Sequence, residues 1–390
     1  MKPLVPFLIA LAMLAAVPAR TSANETVRVY GIIMESAETV QQRYAVALSM
    51  AALNDPDAAI YALDALDWVL TNRSTIRAGS ERELYERLSQ VLVKSLGDWR
   101  YTNAAASVMR VVDDSTDPLS RSEALIALGS MRATEYAEKI ALILRDLNLA
   151  PTADRDAGEK LAYGSILALE RMRSPLGFAP LFFASEGWYS RRVREQAERS
   201  LPLVLDDPTE AVAEIIEKES LERKIRAFDL LMRSRAADES KIRTAASALS
   251  RGITLSPRNK AEETLLSDLR VRSMNALVSL GDRSGNSSAD FNEAYRIGGI
   301  DEKLVALRAM GATRSVESAR FLRDIIIDLD GVHRRGLVDN TRETLMRAAL
   351  QNAAVNARKE LAPALQAVSL NQGWSGGILN LAAIAQKALQ

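Results

Sequence analysis

The sequence predicts an all-α protein that forms an α-solenoid, a superhelix of about nine antiparallel helix pairs. Three observations support this fold class: one passage occurs twice, weaker copies of it recur along the chain, and prolines stand where helices are expected to begin. No alternating polar and apolar run is long enough for a sheet. The one exception is the segment 27–34, which we expect to be extended ahead of the first helix.

The duplicated passage covers residues 124–147 and 306–329, which are identical at ten of twenty-four positions. The identical positions include the pairs Gly129/Gly311 and Arg132/Arg314. Apolar residues at helical spacing on both sides of the glycine predict a helix, a tight turn and a second helix. We expect Gly129 and Gly311 to end the first helix in a left-handed backbone, because a residue without Cβ adopts that conformation at no steric cost. The short turn makes the two helices antiparallel.

Weaker copies of the passage each begin with a basic residue ahead of an Ala/Leu-rich stretch. Together with the two strong copies, the series consists of Arg43, Arg121, Lys160, Arg194, Arg223, Arg272, Lys303 and Arg342. Between Arg121 and Lys303 its average step is about 36 residues, and extending that period over the chain gives roughly nine helix pairs. In a stacked array these side chains would line up along one edge. There they either bond neighbouring carboxylates and helix ends or form a ladder that binds a ligand.

Prolines support the same helix count, because the first helical position tolerates proline and the preceding residue can cap the helix. The predicted helix starts are Asp55-Pro56, Asp117-Pro118, Ser174-Pro175, Asp207-Pro208 and Ser256-Pro257. Residues 80–83 (Ser-Glu-Arg-Glu) have the form of a capping box without proline.

These features resemble HEAT-type repeats, in particular the short HEAT-like units first described in phycobilisome lyases. The resemblance rests on the Asp-Pro and Ser-Pro helix starts and on the basic residue that opens the second helix of each unit. It also rests on the endings at 127–129, 279–281 and 309–311, which read Ala-Leu-Gly, Ser-Leu-Gly and Ala-Met-Gly. The resemblance covers about residues 40–370 and implies an architecture rather than an activity. Tetratricopeptide repeats are the alternative architecture, but their regular spacing of about 34 residues is absent.

The first 23 residues follow the plan of a secretory signal peptide, with Lys2, an apolar run and then small residues that favour cleavage after Ala19 or Ala23. We expect residues 24–39 to lead into the repeats, and residues 40–390 to form the solenoid with an irregular insertion near 281–299. This organisation predicts a chain secreted across the inner membrane into the periplasm, with no membrane span after cleavage.

The composition offers little material for catalysis. The chain has no cysteine and a single histidine, His333, which we expect in an exposed loop, so His-based triads, thiolate nucleophiles and His/Cys zinc sites are not favoured. No glycine-rich phosphate loop is present. Lysine and arginine total 50, as do aspartate and glutamate, so no basic excess favours nucleic acid. We therefore expect no enzyme activity, no catalytic residues, no metal and no cofactor.

One segment combines aromatic and arginine residues, which are enriched in binding hot spots. It reads GWYSRRVREQ at 187–196, and its candidate protein-binding residues are Trp188, Tyr189, Arg191, Arg192 and Arg194. The alternative is that the tryptophan packs between helices. Two irregular stretches, 281–299 and 371–377 (NQGWSGG), are further places where function could be grafted onto the array.

The sequence therefore predicts an extracytoplasmic, non-enzymatic scaffold that binds a protein partner on the concave face of its repeats. The alternative is a self-assembling structural component of the cell envelope or of an appendage. A third class, a lyase-type enzyme component, follows only from the HEAT-like resemblance.

Overall fold

The computed structural model describes residues 20–73, 79–337 and 339–390, and within them the regular structure is entirely helical. The chain divides into two compact units, which meet in sequence between Leu205 and Asp206. The described part of each unit contains ten α-helices.

Unit 1 contains helices α1 to α10. Their bounds are α1 Arg20–Ser36, α2 Val40–Leu53, α3 Ala59–Asn72, α4 Gly79–Asp98, α5 Ala105–Asp114, α6 Pro118–Met131, α7 Ala137–Leu149, α8 Arg155–Met172, α9 Phe178–Glu186 and α10 Arg191–Val204. Each odd-numbered helix packs against the even-numbered helix that follows it. The even-numbered helices also stack on one another in chain order, α2 on α4, α4 on α6, α6 on α8 and α8 on α10. The result is two layers of helices with the apolar core between them.

Unit 2 repeats this plan with helices α11 to α20. Their bounds are α11 Thr209–Lys218, α12 Leu221–Arg233, α13 Asp238–Thr254, α14 Lys260–Ser279, α15 Ser288–Ile297, α16 Ile300–Thr313, α17 Val316–Arg334, α18 Asn340–Asn356, α19 Ala362–Leu370 and α20 Gly376–Ala388. The even-numbered helices again stack in chain order, and each odd-numbered helix packs on its successor. This arrangement confirms the predicted all-α, HEAT-like solenoid class. The described residues form ten pairs, one more than the rough estimate of nine.

The helices that pack as a pair are not the two helices of the predicted repeat unit, because the packed pairs are offset by one helix along the chain. The duplicated passage at 124–147 contributes to α6 and α7, which follow each other across a turn. However, the main partners of α6 are α5, α4 and α8, whereas α7 packs on α8 and α9. The passage therefore spans the junction between two packed pairs.

The predicted role of the repeated glycine was wrong. Gly129 lies inside α6, and the left-handed residue that ends this helix is Arg132, with φ of 55°. In the same way Gly311 lies inside α16, and Arg314 is left-handed with φ of 53°. Gly129 serves helix packing instead, because a Cβ atom at this position would lie 2.6 Å from Cα of Ala168 on α8.

Most predicted helix starts are close to observed ones. Asp117 caps α6 by accepting a hydrogen bond of 2.7 Å from the backbone N–H of Ser120. The start expected at Ser256-Pro257 was wrong, because α14 begins at Lys260 and is capped by Asn259. The capping box expected at residues 80–83 was also wrong, because this segment already lies inside α4.

The N-terminal segment differs most from the prediction. Residues 27–34 are helical in α1, rather than extended, and the reason is an apolar stripe at helical spacing that buries Val27 and Met34. Residues 1–19 of the predicted signal peptide lie outside the described residues. Among the described helices, none combines the length and apolar character needed to cross a bilayer. The irregular stretch at 281–299 contains a regular helix, α15.

Unit 2 holds a buried ion pair between neighbouring even-numbered helices. Nε of Arg270 on α14 lies 2.5 Å from Oε1 of Glu302 on α16, and the Nη2 atom of the same guanidinium donates to Oε2 at 3.1 Å. The remaining amine, Nη1, donates to the backbone carbonyl of Gly252 on α13 at 2.9 Å. Both charged side chains are buried, at 7% and 2% exposure. The pair therefore ties three helices together.

We predict that Gly129→Ala destabilises the protein by about 1–3 kcal/mol, because the new methyl group collides with backbone atoms of α8 that have no rotamer to change. Gly331→Ala is the matched control. This glycine also lies inside a helix, and its new Cβ would meet only a guanidinium atom of Arg335 at 3.8 Å. Helix propensity alone should then stabilise the control by up to about 1 kcal/mol. Chemical unfolding measures both, and a Gly129→Ala variant as stable as wild type would contradict the close approach.

Candidate functional site

The C-terminal ends of α4, α6 and α8 form a cleft of about 500 Å³ in unit 1. We name it the arginine cleft; its lining residues are Gly97, Asp98, Arg100, Gly129, Ser130, Arg132, Glu170, Arg171, Arg173 and Leu203. The three helices stack side by side, so their ends come together at one edge of the unit. Four arginines from three helix ends thus meet in a single cleft.

Three of these arginines occupy a backbone conformation that is uncommon for their residue type. Arg100, Arg132 and Arg173 are left-handed, with φ of 55°, 55° and 51°. Each ends its helix in the same way: its own N–H and that of the next residue donate back to carbonyls of the last turn, the geometry of a Schellman motif. Glycine or asparagine is the usual residue here, since a side chain with Cβ is strained in this region. Unit 1 thus has a left-handed arginine at three successive even-numbered helix ends.

The acidic residues of the cleft have partners other than these three arginines. Asp98 forms an ion pair of 2.6 Å with Lys94. The Glu170 carboxylate accepts hydrogen bonds from Nε2 of Gln196 at 2.7 Å and from Oγ of Ser200 at 2.5 Å. Nη1 of Arg171 donates to Oγ of Ser130 at 2.6 Å.

The guanidinium groups of Arg100, Arg132 and Arg173 have no side-chain partner among the residues that the structure describes, and all three residues are exposed. The negative ends of the helix dipoles stabilise positive charge at this edge. The cleft is therefore cationic and open to an anionic ligand.

The aromatic residues of the predicted hot spot are part of the packing. Nε1 of Trp188 donates to the carbonyl of Leu147 at 2.9 Å, and the hydroxyl of Tyr189 donates to Oδ1 of Asn148 at 2.8 Å. Both bonds tie the segment between α9 and α10 to the end of α7. The side chain of Tyr189 is buried, and this burial raises the pKa of Tyr189 above its ordinary value. Its protein-binding role stays a prediction. Trp188 is half-buried.

The three arginines of the predicted hot spot remain exposed at the start of α10. Arg191 forms an ion pair of 2.6 Å with Glu195, and the guanidinium of Arg192 lies 5.1 Å from the ring centre of Tyr163. The arginine above the Trp188 ring is Arg155, at 5.5 Å. The binding role of Arg191, Arg192 and Arg194 stays a prediction.

Several members of the once-per-unit basic series have structural partners. The guanidinium of Arg43 lies 4.2 Å above the ring of Trp68, which in turn stacks on Tyr85. Nε of Arg121 donates to the carbonyl of Val112 at 2.8 Å. Arg272 bridges Asp229 and Asp268 at 2.7 and 2.9 Å. These contacts favour the first of the two alternatives, bonding to neighbouring helices.

His333 was expected in an exposed loop, which was wrong. It lies in the last turn of α17, where its ring stacks on Trp374 with 3.8 Å between ring centres.

The buried carboxylate of Asp330 organises the neighbouring segment 371–377 (NQGWSGG). Its Oδ1 accepts hydrogen bonds of 2.8 Å from Nε1 of Trp374 and from Nδ2 of Asn371, and its Oδ2 pairs with Nε of Arg334 at 2.8 Å. The segment is therefore fastened to unit 2 by its polar groups.

Within the described part of the chain, no group of three or more histidine, cysteine, aspartate or glutamate side chains is arranged to hold a metal ion.

Sequence reasoning missed the arginine cleft although the signal was present. The duplicated passage has both its glycine and, three residues later, its arginine in common: Gly129 with Arg132, and Gly311 with Arg314. Gly97 and Arg100 have the same spacing. Because glycine is the usual left-handed residue, the glycine of each pair was predicted to end the helix, whereas the arginine does so in the structure.

Comparisons with known proteins add little to this geometry. No protein-family model matches the chain, and the search of curated proteins finds no match. Among solved structures, the chain is similar to human deoxyhypusine hydroxylase in complex with glycerol, at 15% sequence identity and a TM-score of 0.28. The match covers 95% of this chain and 98% of that chain.

The comparison does not support the expectation that this chain is not an enzyme, because the protein of similar structure is an enzyme. The likeness is too low to transfer a reaction, a ligand or a site residue to this chain.

Acid should weaken unit 2 through Asp330. Burial alone raises the pKa of Asp330, but the hydrogen bonds from Asn371, Trp374 and Arg334 outweigh burial and hold this pKa below its ordinary value. A carboxyl group whose pKa is lower in the folded than in the unfolded chain stabilises the fold above the unfolded pKa of about 3.9, and this stabilisation is lost as the pH falls through the folded pKa.

We therefore predict that wild type is more stable than Asp330→Asn at about pH 5 and that the difference shrinks towards about pH 3. Urea unfolding at several pH values measures this difference. A gap between the two proteins that is independent of pH would mean that the charge of Asp330 does not contribute.

Proposed function

We propose that this protein binds an acidic segment of a partner protein in the arginine cleft of unit 1. The observation that supports the proposal is the convergence of three exposed, left-handed arginines, Arg100, Arg132 and Arg173, with no side-chain partner among the described residues. A fold that tolerates backbone strain at three successive helix ends, where glycine would relieve it, is expected to use the side chains.

The spacing of the helices favours an extended ligand. Stacked helices lie about 8–10 Å apart, so three neighbouring helix ends distribute their arginines over about 16–20 Å. An extended peptide advances about 3.3–3.6 Å per residue, so a segment of about five or six residues covers the row. Aspartate and glutamate side chains on such a segment would each meet a guanidinium.

Arginine suits this task better than lysine. Its planar guanidinium donates two parallel hydrogen bonds to one carboxylate, and such charge-assisted pairs are among the stronger polar contacts in proteins. Because these arginines are exposed, solvent and salt screen them, and the binding is expected to be moderate and to weaken as ionic strength rises.

We also propose that the chain is exported, as its first 23 residues suggest. The exported protein would meet its partner in the periplasm. Mass spectrometry of the protein recovered from the producing cells should show a chain that begins at Arg20 or Asn24. A soluble chain that retains Met1 would contradict export and would leave the binding proposal unaffected.

Replacement of Arg100, Arg132 and Arg173 by glutamine should weaken the binding of a glutamate-rich peptide by at least about tenfold at low salt, since three charge-assisted contacts are lost. Fluorescence anisotropy with a labelled peptide measures the affinity, and thermal unfolding verifies that the variant is folded.

A second triple variant, in which Arg191, Arg192 and Arg194 become glutamine, is the matched control. It removes the same charge from three exposed positions on α10 of the same unit. Equal losses of peptide affinity in the two variants would show that only net charge matters. A loss of affinity confined to the second variant would indicate that the peptide binds at the predicted hot spot.

A further inference from the structure

A second, smaller cleft of about 250 Å³ adjoins the arginine cleft in unit 1. It lies between the C-terminal ends of α2 and α4, and its apolar lining comes from Leu48, Ala51, Val91 and Trp99. Asp98 lines both clefts, and Trp99 directly precedes Arg100. The two clefts therefore meet at the turn that ends α4.

The charge changes at this junction. The helix end of α2 has a left-handed Asn54 where the next three even-numbered helices have arginine. The charged residues that line the smaller cleft, Lys94 and Asp98, neutralise each other in an ion pair of 2.6 Å. One continuous edge is thus cationic along α4, α6 and α8 and neutral and apolar at α2.

Trp99 differs from the other tryptophans of the chain. The chain has four tryptophans. Trp68, Trp188 and Trp374 each have an aromatic ring within 5.5 Å, centre to centre. Trp99 is half-buried. It has neither a ring partner nor a side-chain hydrogen bond among the described residues. Leu48, on the other side of the cleft, is 45% exposed.

The size of the smaller cleft limits its occupant. Pockets that hold drug-sized ligands begin at about 300 Å³, so this cleft is suited to one bulky side chain. A large apolar group there would cover Trp99 and Leu48, and tryptophan is a frequent anchor in protein interfaces.

We propose that the segment recognised by this edge has two parts: an extended acidic stretch for the arginine cleft and, directly beside it, one bulky apolar residue that inserts between Leu48 and Trp99. This inference rests on the proposed function, and it specifies the sequence of the partner segment. Leucine, phenylalanine or tryptophan would serve as the apolar residue.

The test uses labelled peptides of identical charge and length. One is a glutamate-rich peptide with serine at both ends, and two others have leucine at the amino or at the carboxyl end. We expect one of the leucine peptides to bind wild-type protein about tenfold more tightly than the serine peptide, the gain from burying one such side chain. Trp99→Ala and Leu48→Ala should remove this gain and leave the affinity for the serine peptide unchanged.

Leu176→Ala is the matched control, because this leucine is 57% exposed and lies outside both clefts. It should retain the gain. Leu48→Ala changes an exposed side chain, so it provides the test even where Trp99→Ala fails to fold.

Each further outcome separates the two proposals. If leucine and serine peptides bind wild type equally and the arginine variant loses both, the two-part recognition is wrong and the acidic-segment function stands. If no acidic peptide responds to the loss of the three arginines, the proposed function is wrong, and the two-part recognition is overturned with it.

Discussion

The close approach of neighbouring even-numbered helices is the constraint on which unit 1 depends. A Cβ atom at Gly97 would lie 2.8 Å from Cα of Ala127, and one at Gly129 would lie 2.6 Å from Cα of Ala168. Such distances leave room for hydrogen only, so α4, α6 and α8 stack backbone against backbone at these points. Small residues at the contact fix how near the helices lie, and therefore how near their C-terminal ends are to one another. The arginine cleft follows from this packing, because it lies where those three ends meet.

In unit 2, the contact between the neighbouring even-numbered helices α14 and α16 is of a different kind. There the contact contains Arg270 and Glu302, both buried, with the carbonyl of Gly252 as a third partner. Taking two charges out of water is costly, and such a pair stabilises a fold only where hydrogen bonds satisfy the remaining polar atoms. A Cβ atom at Gly252 would lie 2.8 Å from Cγ of Arg270, so the glycine makes space for the aliphatic part of the arginine. Removing one member of this pair would leave an uncompensated charge, so the pair specifies how these helices align.

Packing and binding use different aromatic residues in this molecule. Trp188 and Trp374 were prominent in the sequence because they stand in irregular segments beside arginine or glycine. In the structure both donate their indole N–H to acceptors on other helices, and so both fasten a connecting segment to its unit. Trp99 was inconspicuous because it lies at the end of a regular helix, yet it lacks such partners and lines an apolar cleft. The proposed binding edge therefore belongs to the regular part of the array, where each repeat places one residue at an equivalent position, rather than to its irregular connections.

The helical class, the repeat and most helix starts were predictable from the amino-acid sequence, because these depend on short-range chemistry: apolar periodicity along one helix, and the carboxylate of Asp117 within reach of its own helix terminus. The sequence also contained the pairing of glycine with an arginine three residues later. The role of each residue in that pairing depends on how the helices pack. Gly129 could serve a left-handed helix end or a close contact between helices, and the choice depends on Ala168, which lies on another helix almost forty residues away. Likewise Arg100, Arg132 and Arg173 are separate in sequence and form one cleft only because α4, α6 and α8 stack. Local patterns report the conformation of a segment, whereas the identity of its neighbour across a helix interface is a property of the packed array.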